Sequence, residues 1–134
     1  MRDLGSEHVL VVHSADGLDE ISIAAETQVV ELNGGDISEY TVSPEQFGLE
    51  RGPLDALVVD GAAASLAMIQ AALTGQHQLA ADMLALNAGA ALYAAGVSAD
   101  LAEGVALAHD TVASGLAWEK LQTLAQFTQL MKAE

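Results

Sequence analysis

Two adjacent carboxylates, Asp19 and Glu20, are the side chains of this sequence whose types and spacing best suit chemistry. They come shortly after the turn signal of residues 15–17, which itself follows the aliphatic run of residues 9–12. On a loop, neighbouring carboxylates can converge on one cation, and oxygen ligands suit Mg²⁺, which binds through one or two carboxylates plus substrate phosphates. His13 is close enough along the chain to face the same cleft. We call Asp19 and Glu20 the acidic pair, and it is a candidate magnesium site.

A solvated turn is the other interpretation of the acidic pair, because charged residues are usually exposed and acidic loops are common. The spacing excludes one familiar cation site. An EF-hand loop carries an oxygen ligand at every second position, and its glycine comes later than Gly17 does here. The residues by themselves leave a magnesium site and a plain solvated turn both open.

The aliphatic run 9–12 predicts the strand that positions the acidic pair. It shows no polar alternation, which is typical of a strand buried on both faces in a parallel sheet covered by helices. In open α/β sheets, ligands bind beyond the carboxyl ends of such strands. A parallel partner needs a connection of roughly a dozen residues or more, and few residues precede the run. We therefore expect the chain to be a piece of a larger α/β domain or to need a partner chain.

A β-hairpin and four helices are predicted after the acidic pair. Two β-rich runs, 27–32 and 37–43, flank an Asn-Gly-Gly-Asp loop at 33–36, where an ordinary hairpin turn is favoured over an anion-binding nest. We expect residues 1–59 to form the strand, turn and hairpin, and residues 60–134 to form the helical part of the same segment. Apolar spacing and end signals predict four helices: 60–74 with Asp60 as cap, 78–95, a third capped by Ser98, and a fourth after residues 114–115.

The second predicted helix is apolar nearly all round, so we expect it to be buried on most sides. Its Gly89 predicts the close approach of another backbone, and Asn87 is expected to be a buried amide with satisfied hydrogen bonds rather than a ligand. His77 and His109 lack a histidine partner at i+3 or i+4, so neither is expected to bind a metal ion. In the fourth helix the candidates for burial are Trp118, Leu121, Leu124, Ala125 and Met131.

The charge of the chain restricts its partners. The formal net charge is −15, because only 4 Lys and Arg residues offset 19 Asp and Glu residues. Nucleic acid and anionic membrane surfaces require a basic footprint, so both are poor partners. A phosphorylated substrate would be repelled unless a divalent cation or a basic segment from elsewhere intervened.

The composition also bears on location. The sequence contains no cysteine, which excludes a disulfide framework and a thiolate metal site and fits the reducing cytoplasm. Residues 1–8 do not form a signal peptide, and the longest apolar stretches are interrupted by polar residues at short intervals. We expect a cytoplasmic protein with no membrane span.

Several short segments, in chain order, resemble anthranilate phosphoribosyltransferase. The resemblance covers nearly the whole chain but corresponds to the C-terminal part of that family, and its most specific element is the acidic signature after the aliphatic run. The segments are VVH at 11–13, DGLDEIS at 16–22, EYT at 39–41, PEQFGL at 44–49, LNA at 86–88, AALY at 90–93 and SG at 114–115.

The resemblance implies a fold and an activity. Members of the family transfer the phosphoribosyl group of phosphoribosyl pyrophosphate to anthranilate and release pyrophosphate, in tryptophan biosynthesis. They combine a small helical domain with a larger α/β domain, usually as homodimers, and their adjacent Asp and Glu hold Mg²⁺ on the pyrophosphate; here these are Asp19 and Glu20. The implied fold class is α/β: a partial domain with a buried strand, a β-hairpin and four C-terminal helices, cut from a larger phosphoribosyltransferase/nucleoside phosphorylase-like domain.

Two departures from the family limit this reading. Ser14 stands where the family commonly has Gly, which alters the turn but spares the carboxylates. The family's glycine-rich pyrophosphate loop and its anthranilate-binding arginine lie upstream, so the resemblance implies that this chain alone is inactive. Exposed strand edges further predict that the isolated chain oligomerises, swaps segments or is only partly ordered. The alternatives are a pyrimidine nucleoside phosphorylase-like fragment and a non-catalytic acidic interaction module.

Overall fold

The computed structural model describes residues 1–131. They form a mixed α/β structure, which confirms the predicted class, with a three-stranded sheet followed by four helices. Short 3-10 helices span Arg2–Leu4, Pro44–Phe47 and Leu54–Leu57. The strands are β1 (His8–Ser14), β2 (Thr27–Asn33) and β3 (Asp36–Val42), and the helices are α1 (Ala62–Leu73), α2 (Gln78–Ala94), α3 (Leu101–Ala113) and α4 (Leu116–Met131).

The described sheet is antiparallel, with the order β1-β2-β3, so β1 is an edge strand with one antiparallel partner, and the parallel partner expected from outside the chain stays a prediction. Burial of β1 on both faces is not seen within residues 1–131. Leu10 and Val12 pack toward the helices, whereas Val11 is 56% exposed on the other face and only Ser14 of this strand is fully buried. An unbroken aliphatic run shows that neither face is polar, but it does not show that both faces are covered.

The predicted hairpin is confirmed. Thr27 pairs with Val42 at one end of the ladder and Asn33 pairs with Asp36 at the other. Gly34 and Gly35 form the two-residue loop with φ of 59° and 96°, and two consecutive positive φ values are what a tight hairpin turn with the strand twist requires.

Helix α2 packs most closely against α3. A Cβ atom at Gly89 would lie 2.5 Å from the backbone nitrogen of Val105, so the absence of a side chain lets the two helices meet, as predicted. Apolar side chains from the sheet, from the loop after the acidic pair and from both helices pack together in one core. The buried members of this core are Ile21, Ile23, Val29, Val42, Leu86, Leu101 and Val105.

Two N-cap predictions need correction. Helix α1 has Gly61 rather than Asp60 as its N-cap, and α3 is capped by Asp100, not Ser98, because the Asp100 carboxylate reaches the backbone N–H of Glu103. The prediction that α2 is buried on most sides is confirmed, because, apart from Gln78 at its start, its exposed residues form a single stripe of Leu84, Ala88 and Ala91.

Helix α4 also departs from prediction, because none of its residues is buried. Trp118 and Leu121 are half-buried, while Leu124, Ala125 and Met131 are exposed. An apolar stripe predicts that a helix face can be covered but does not say that a partner lies against it. Within residues 1–131, no helix has the length and apolar character needed to cross a membrane.

Candidate functional site

The acidic pair lies on the loop that leaves the carboxyl end of β1, at the rim of an apolar cleft of about 370 Å³. Both side chains are exposed. The walls come from the 3-10 helix at Leu54–Leu57 and from the facing sides of α1 and α2. Apart from the acidic pair, the lining is largely aliphatic, with contributions from Leu18, Leu57, Val58, Met68, Ile69, Met83 and Leu84.

Neither carboxylate of the acidic pair forms a hydrogen bond or an ion pair with another group among residues 1–131. Asp16, three residues earlier, differs. Its carboxylate accepts hydrogen bonds from the Ser14 hydroxyl, from the Ser22 hydroxyl at 2.5 Å and from the Leu18 backbone N–H at 3.3 Å. The Asp16 carboxylate is therefore used to close the turn, and the acidic pair keeps its oxygens free.

The pKa of Asp16 agrees with this structural role. Desolvation acts to raise this pKa, but the hydrogen bonds donated by Ser14, Ser22 and Leu18 outweigh desolvation and hold the pKa of the Asp16 carboxyl below its ordinary value. Asp16 is thus a charged acceptor at neutral pH, and such acceptors form the stronger hydrogen bonds.

Ser14 is incorporated into the same turn. Its side chain is fully buried, its hydroxyl donates to Asp16, and the same oxygen accepts the N–H of Leu18 at 3.2 Å. Its backbone N–H donates to the Leu18 carbonyl at 3.0 Å. The serine that departs from the family's usual glycine therefore adds hydrogen bonds to the turn and leaves the acidic pair untouched.

The backbone immediately after the acidic pair is anchored from the other side. Ile21, Ser22 and Ile23 are fully buried. The Ser22 N–H donates to the Thr27 hydroxyl at 3.1 Å, and the Ile23 carbonyl accepts from the Gly52 N–H at 3.3 Å. The acidic pair is therefore the exposed part of a loop that is held by hydrogen bonds on both sides of it.

Asn87 of α2 makes the most direct of these anchors. Its Oδ1 accepts the Ile21 N–H at 2.9 Å, and its Nδ2 donates to the Ile21 carbonyl at 2.9 Å and to the Met83 carbonyl at 3.0 Å. The predicted hydrogen bonding of the amide is confirmed, although Asn87 is half-buried rather than buried. Its partner, the residue that follows the acidic pair, was not predicted. The signals in the sequence were an amide in the middle of an apolar helix and its place in the LNA segment.

The histidines do not join the acidic pair. His13 follows Val12 on β1 and so projects to the sheet face opposite the helices, and it does not line the cleft. The His77 ring caps α2, and His109 lies 3.5 Å from Asp82. Over residues 1–131, no group of three or more His, Cys, Asp or Glu side chains is gathered as a metal site.

The acidic pair can attract a hard cation but does not complete its coordination. Carboxylate oxygens are the donors that Mg²⁺ prefers, and Mg²⁺ in proteins is commonly bound by one or two carboxylates with the remaining positions taken by water and phosphate. Two free, adjacent and solvent-accessible carboxylates fit that pattern.

Comparison with known proteins identifies a family and similar enzymes. The family model described as "Glycosyl transferase family, a/b domain" matches residues 1–118. The anthranilate phosphoribosyltransferase of Chromohalobacter salexigens is 58% identical over 98% of this chain, and that of Pseudomonas putida is 54% identical over all of it. The chain spans 38% and 40% of the length of these two relatives. The resemblance read from the sequence is confirmed.

Solved structures agree with the sequence relatives. The structure of anthranilate phosphoribosyltransferase from Thermus thermophilus matches with a TM-score of 0.81 at 41% identity, covering 91% of this chain and 36% of that one. The Saccharomyces cerevisiae enzyme in complex with PRPP and Mg matches at 0.73 and 21% identity, over 86% of this chain and 33% of that one, which shows the fold alone. The chain belongs to the glycosyl transferase family, whose a/b domain accounts for its first 118 residues.

Proposed function

We propose that residues 1–134 are the C-terminal segment of the α/β catalytic domain of an anthranilate phosphoribosyltransferase and that they supply the carboxylates of its magnesium site. The complete enzyme transfers the phosphoribosyl group of phosphoribosyl pyrophosphate to anthranilate and releases pyrophosphate. The observation that carries the proposal is the free acidic pair at the rim of a cleft, in a chain 58% identical to such an enzyme.

In this proposal Asp19 and Glu20 hold Mg²⁺. The bound ion neutralises charge on the pyrophosphate leaving group. Ser14, Asp16 and Asn87 satisfy the hydrogen-bonding groups of the loop itself, so the two carboxylates are not needed for that purpose and stay free. The chain has a net charge of −15, which would repel a phosphorylated substrate. A bound cation reduces that repulsion.

We expect the cationic groups that bind phosphate and anthranilate to come from outside this segment, because no Lys or Arg of residues 1–131 lines the cleft. Arg51 is already held by Glu45 at 2.6 Å, with Glu26 at 4.0 Å, and Arg2 lies 3.7 Å from Asp3. We accordingly expect no activity from the chain by itself. The Saccharomyces cerevisiae enzyme is known in complex with PRPP and Mg, which supports these two as ligands of the complete protein.

Three further features stay predictions from the sequence: the homodimer, the cytoplasmic location and the role in tryptophan biosynthesis. The relatives reported above are named anthranilate phosphoribosyltransferases, which favours this activity over a nucleoside phosphorylase-like one. No contact within residues 1–131 favours a non-catalytic interaction module over an enzyme segment.

A chimaeric enzyme tests the proposal. The part of the Chromohalobacter salexigens enzyme that aligns with this chain is replaced by this chain, and anthranilate consumption is followed with phosphoribosyl pyrophosphate and Mg²⁺. We expect activity, and we expect Asp19→Asn or Glu20→Gln to lower kcat/KM by at least about a hundredfold, because a lost ligand costs no less than a lost outer-shell partner.

Glu39→Gln is the matched control, because it removes an exposed carboxylate from β3 far from the cleft. It should leave kcat/KM within about twofold. Full activity in both acidic-pair variants would exclude the assigned metal role, and a folded chimaera without activity would count against the proposed reaction.

A further inference from the structure

We propose that Asn87 is a positioning residue for the acidic pair, because its carboxamide fixes the peptide that follows Glu20 against helix α2. The proposal rests on the proposed function, since it takes the acidic pair as the cation site. It adds a residue 66 positions away in the chain from the backbone that it holds.

The carboxamide of Asn87 satisfies both backbone polar groups of Ile21, as a neighbouring strand would. The Ile21 N–H donates to Oδ1 and the Ile21 carbonyl accepts from Nδ2, each at 2.9 Å. Within residues 1–131 these two groups of Ile21 make no other hydrogen bond. Because Ile21 is 2% exposed, water does not replace a lost partner easily, and the clamp is the way this peptide is satisfied.

The third hydrogen bond connects the clamp to the cleft. The second proton of Asn87 Nδ2 goes to the carbonyl of Met83, one turn earlier in α2, and Met83 lines the cleft beside the acidic pair. Three of the four hydrogen-bonding positions of the amide are thereby used. Asn87 therefore connects the loop at the rim of the cleft to the helix α2, which forms part of its wall.

No hydrogen bond or ion pair within residues 1–131 holds the side chains of the acidic pair, so their position depends on the backbone on either side of them. Asp16 anchors the loop three residues before Asp19, and Asn87 anchors it one residue after Glu20. A cation site made of two neighbouring carboxylates needs both oxygen sets at a fixed separation and direction. The backbone between the two anchors determines that direction.

Two variants remove the clamp in different ways. Asn87→Ala removes both hydrogen bonds to Ile21, whereas Asn87→Asp keeps an acceptor for the Ile21 N–H and turns a carboxylate toward the carbonyls of Ile21 and Met83. Tyr93→Phe is the matched control, because it removes a 2.7 Å hydrogen bond from the same helix to Glu31 without touching the loop. Each substitution is made in the chimaera described above.

Two measurements report on the Asn87–Ile21 clamp without requiring enzyme activity. Hydrogen exchange by mass spectrometry reports the Ile21 amide, and the electron paramagnetic resonance signal of free Mn²⁺, used alone as the probe, reports cation binding. We expect Asn87→Ala, which removes the acceptor of the Ile21 N–H, to speed exchange at Ile21 by about tenfold or more. We expect both Asn87 variants to weaken Mn²⁺ binding by about ten- to hundredfold, as for other outer-shell partners of metal ligands. Tyr93→Phe should change both by less than about twofold.

The outcomes separate this inference from the function on which it rests. Unchanged exchange at Ile21 in Asn87→Ala overturns the clamp, and equal Mn²⁺ affinities in the Asn87 variants and Tyr93→Phe overturn the positioning role. If Asp19→Asn also leaves Mn²⁺ binding unchanged, the metal site itself is wrong. If Asp19→Asn weakens binding while the Asn87 variants do not, only the positioning role fails.

Discussion

Glu31 and the acidic pair use the same functional group in opposite ways. Glu31 lies on β2 with 7% of its surface exposed, and four donors surround its carboxylate. The acidic pair is exposed and receives no hydrogen bond from residues 1–131. The donors to Glu31 are the hydroxyl of Tyr93 at 2.7 Å, the hydroxyl of Tyr40 at 2.8 Å, the ring of His8 at 2.9 Å and the amide of Asn33 at 3.3 Å.

The comparison teaches which carboxylates are available to an external ligand. Burial acts to raise the pKa of Glu31, but the hydrogen bonds from Tyr93, Tyr40 and His8 outweigh it and lower the pKa below its usual value. The pKa of Tyr40 is raised, chiefly by burial and then by the hydrogen bond to Glu31, so the tyrosine stays a donor. Glu31 is a saturated structural anion, whereas the acidic pair retains its coordination capacity for a cation.

Glu31→Ala should show the largest effect on stability. The change leaves the hydroxyls of Tyr40 and Tyr93 and the ring of His8 without their acceptor, in a place where water has little access. We expect a loss of about 3 to 5 kcal/mol in the free energy of unfolding, as for other broken buried ionic groups. Urea unfolding followed by circular dichroism measures it, and a loss below about 1 kcal/mol would show that Glu31 is no more structural than the acidic pair.

Asp16→Ala should have an intermediate effect, because it removes the acceptor that closes the turn while leaving the acidic pair in place. Ser14, Ser22 and Leu18 lose a charged partner, and we expect a cost of about 1 to 3 kcal/mol in the same unfolding measurement. Ser22→Ala is a second variant of the same turn, and it removes one of these hydrogen bonds together with the one that the Ala24 N–H donates to the Ser22 hydroxyl at 2.9 Å. A cost below about 0.5 kcal/mol for Asp16→Ala would show that its carboxylate does not close the turn.

The pH dependence of stability tests the lowered pKa of Glu31. The pKa of Glu31 is lowered in the folded chain, so its stabilisation is fully present above the unfolded pKa of about 4.3 and is lost as the pH falls through the lower folded pKa. The difference between the wild-type chain and Glu31→Gln should therefore shrink in acid, by at most about 1.4 kcal/mol per pH unit. Unfolding curves between pH 7 and pH 3 measure it, and a constant difference would contradict the lowered pKa.

The smallest effect on stability is expected for the acidic pair itself. Asp19→Asn and Glu20→Gln break no hydrogen bond among residues 1–131, so the free energy of unfolding should change by less than about 0.5 kcal/mol. Relief of repulsion between adjacent like charges makes the expected sign stabilising. A loss above about 1 kcal/mol, measured beside Glu31→Ala, would place the acidic pair among the structural carboxylates.

Local features were predictable from the sequence. The Asn-Gly-Gly-Asp loop requires positive φ at two neighbouring residues, and the structure has it at Gly34 and Gly35. The DGLDEIS segment marked the acidic pair, and the lone amide in an apolar helix marked Asn87 as satisfied. Each of these depends on backbone preferences or on the solvation of one residue, which nearby sequence determines.

Pairings across the chain were not predictable. An aliphatic run does not specify whether its neighbour is parallel or antiparallel, and β1 is paired only with the antiparallel β2 within the described residues. The apolar stripe of α4 did not show that its residues remain exposed. The N-cap of α3 is Asp100, whose carboxylate accepts the Glu103 N–H, whereas the Ser98 hydroxyl donates to the Asp100 carbonyl. Ser and Asp are both favoured N-cap residues, so residue type alone did not choose between the two positions.

The sequence by itself determined that two adjacent acids follow a strand and that a tight hairpin comes next, because both follow from side-chain chemistry and φ preference over a few residues. Only the tertiary structure decided which acid is saturated and which is left free. His8 and Tyr93 reach Glu31 across 23 and 62 residues, and Asn87 reaches Ile21 across 66. Such donors are brought together by the packing of α2 on the sheet, and no local pattern records that arrangement.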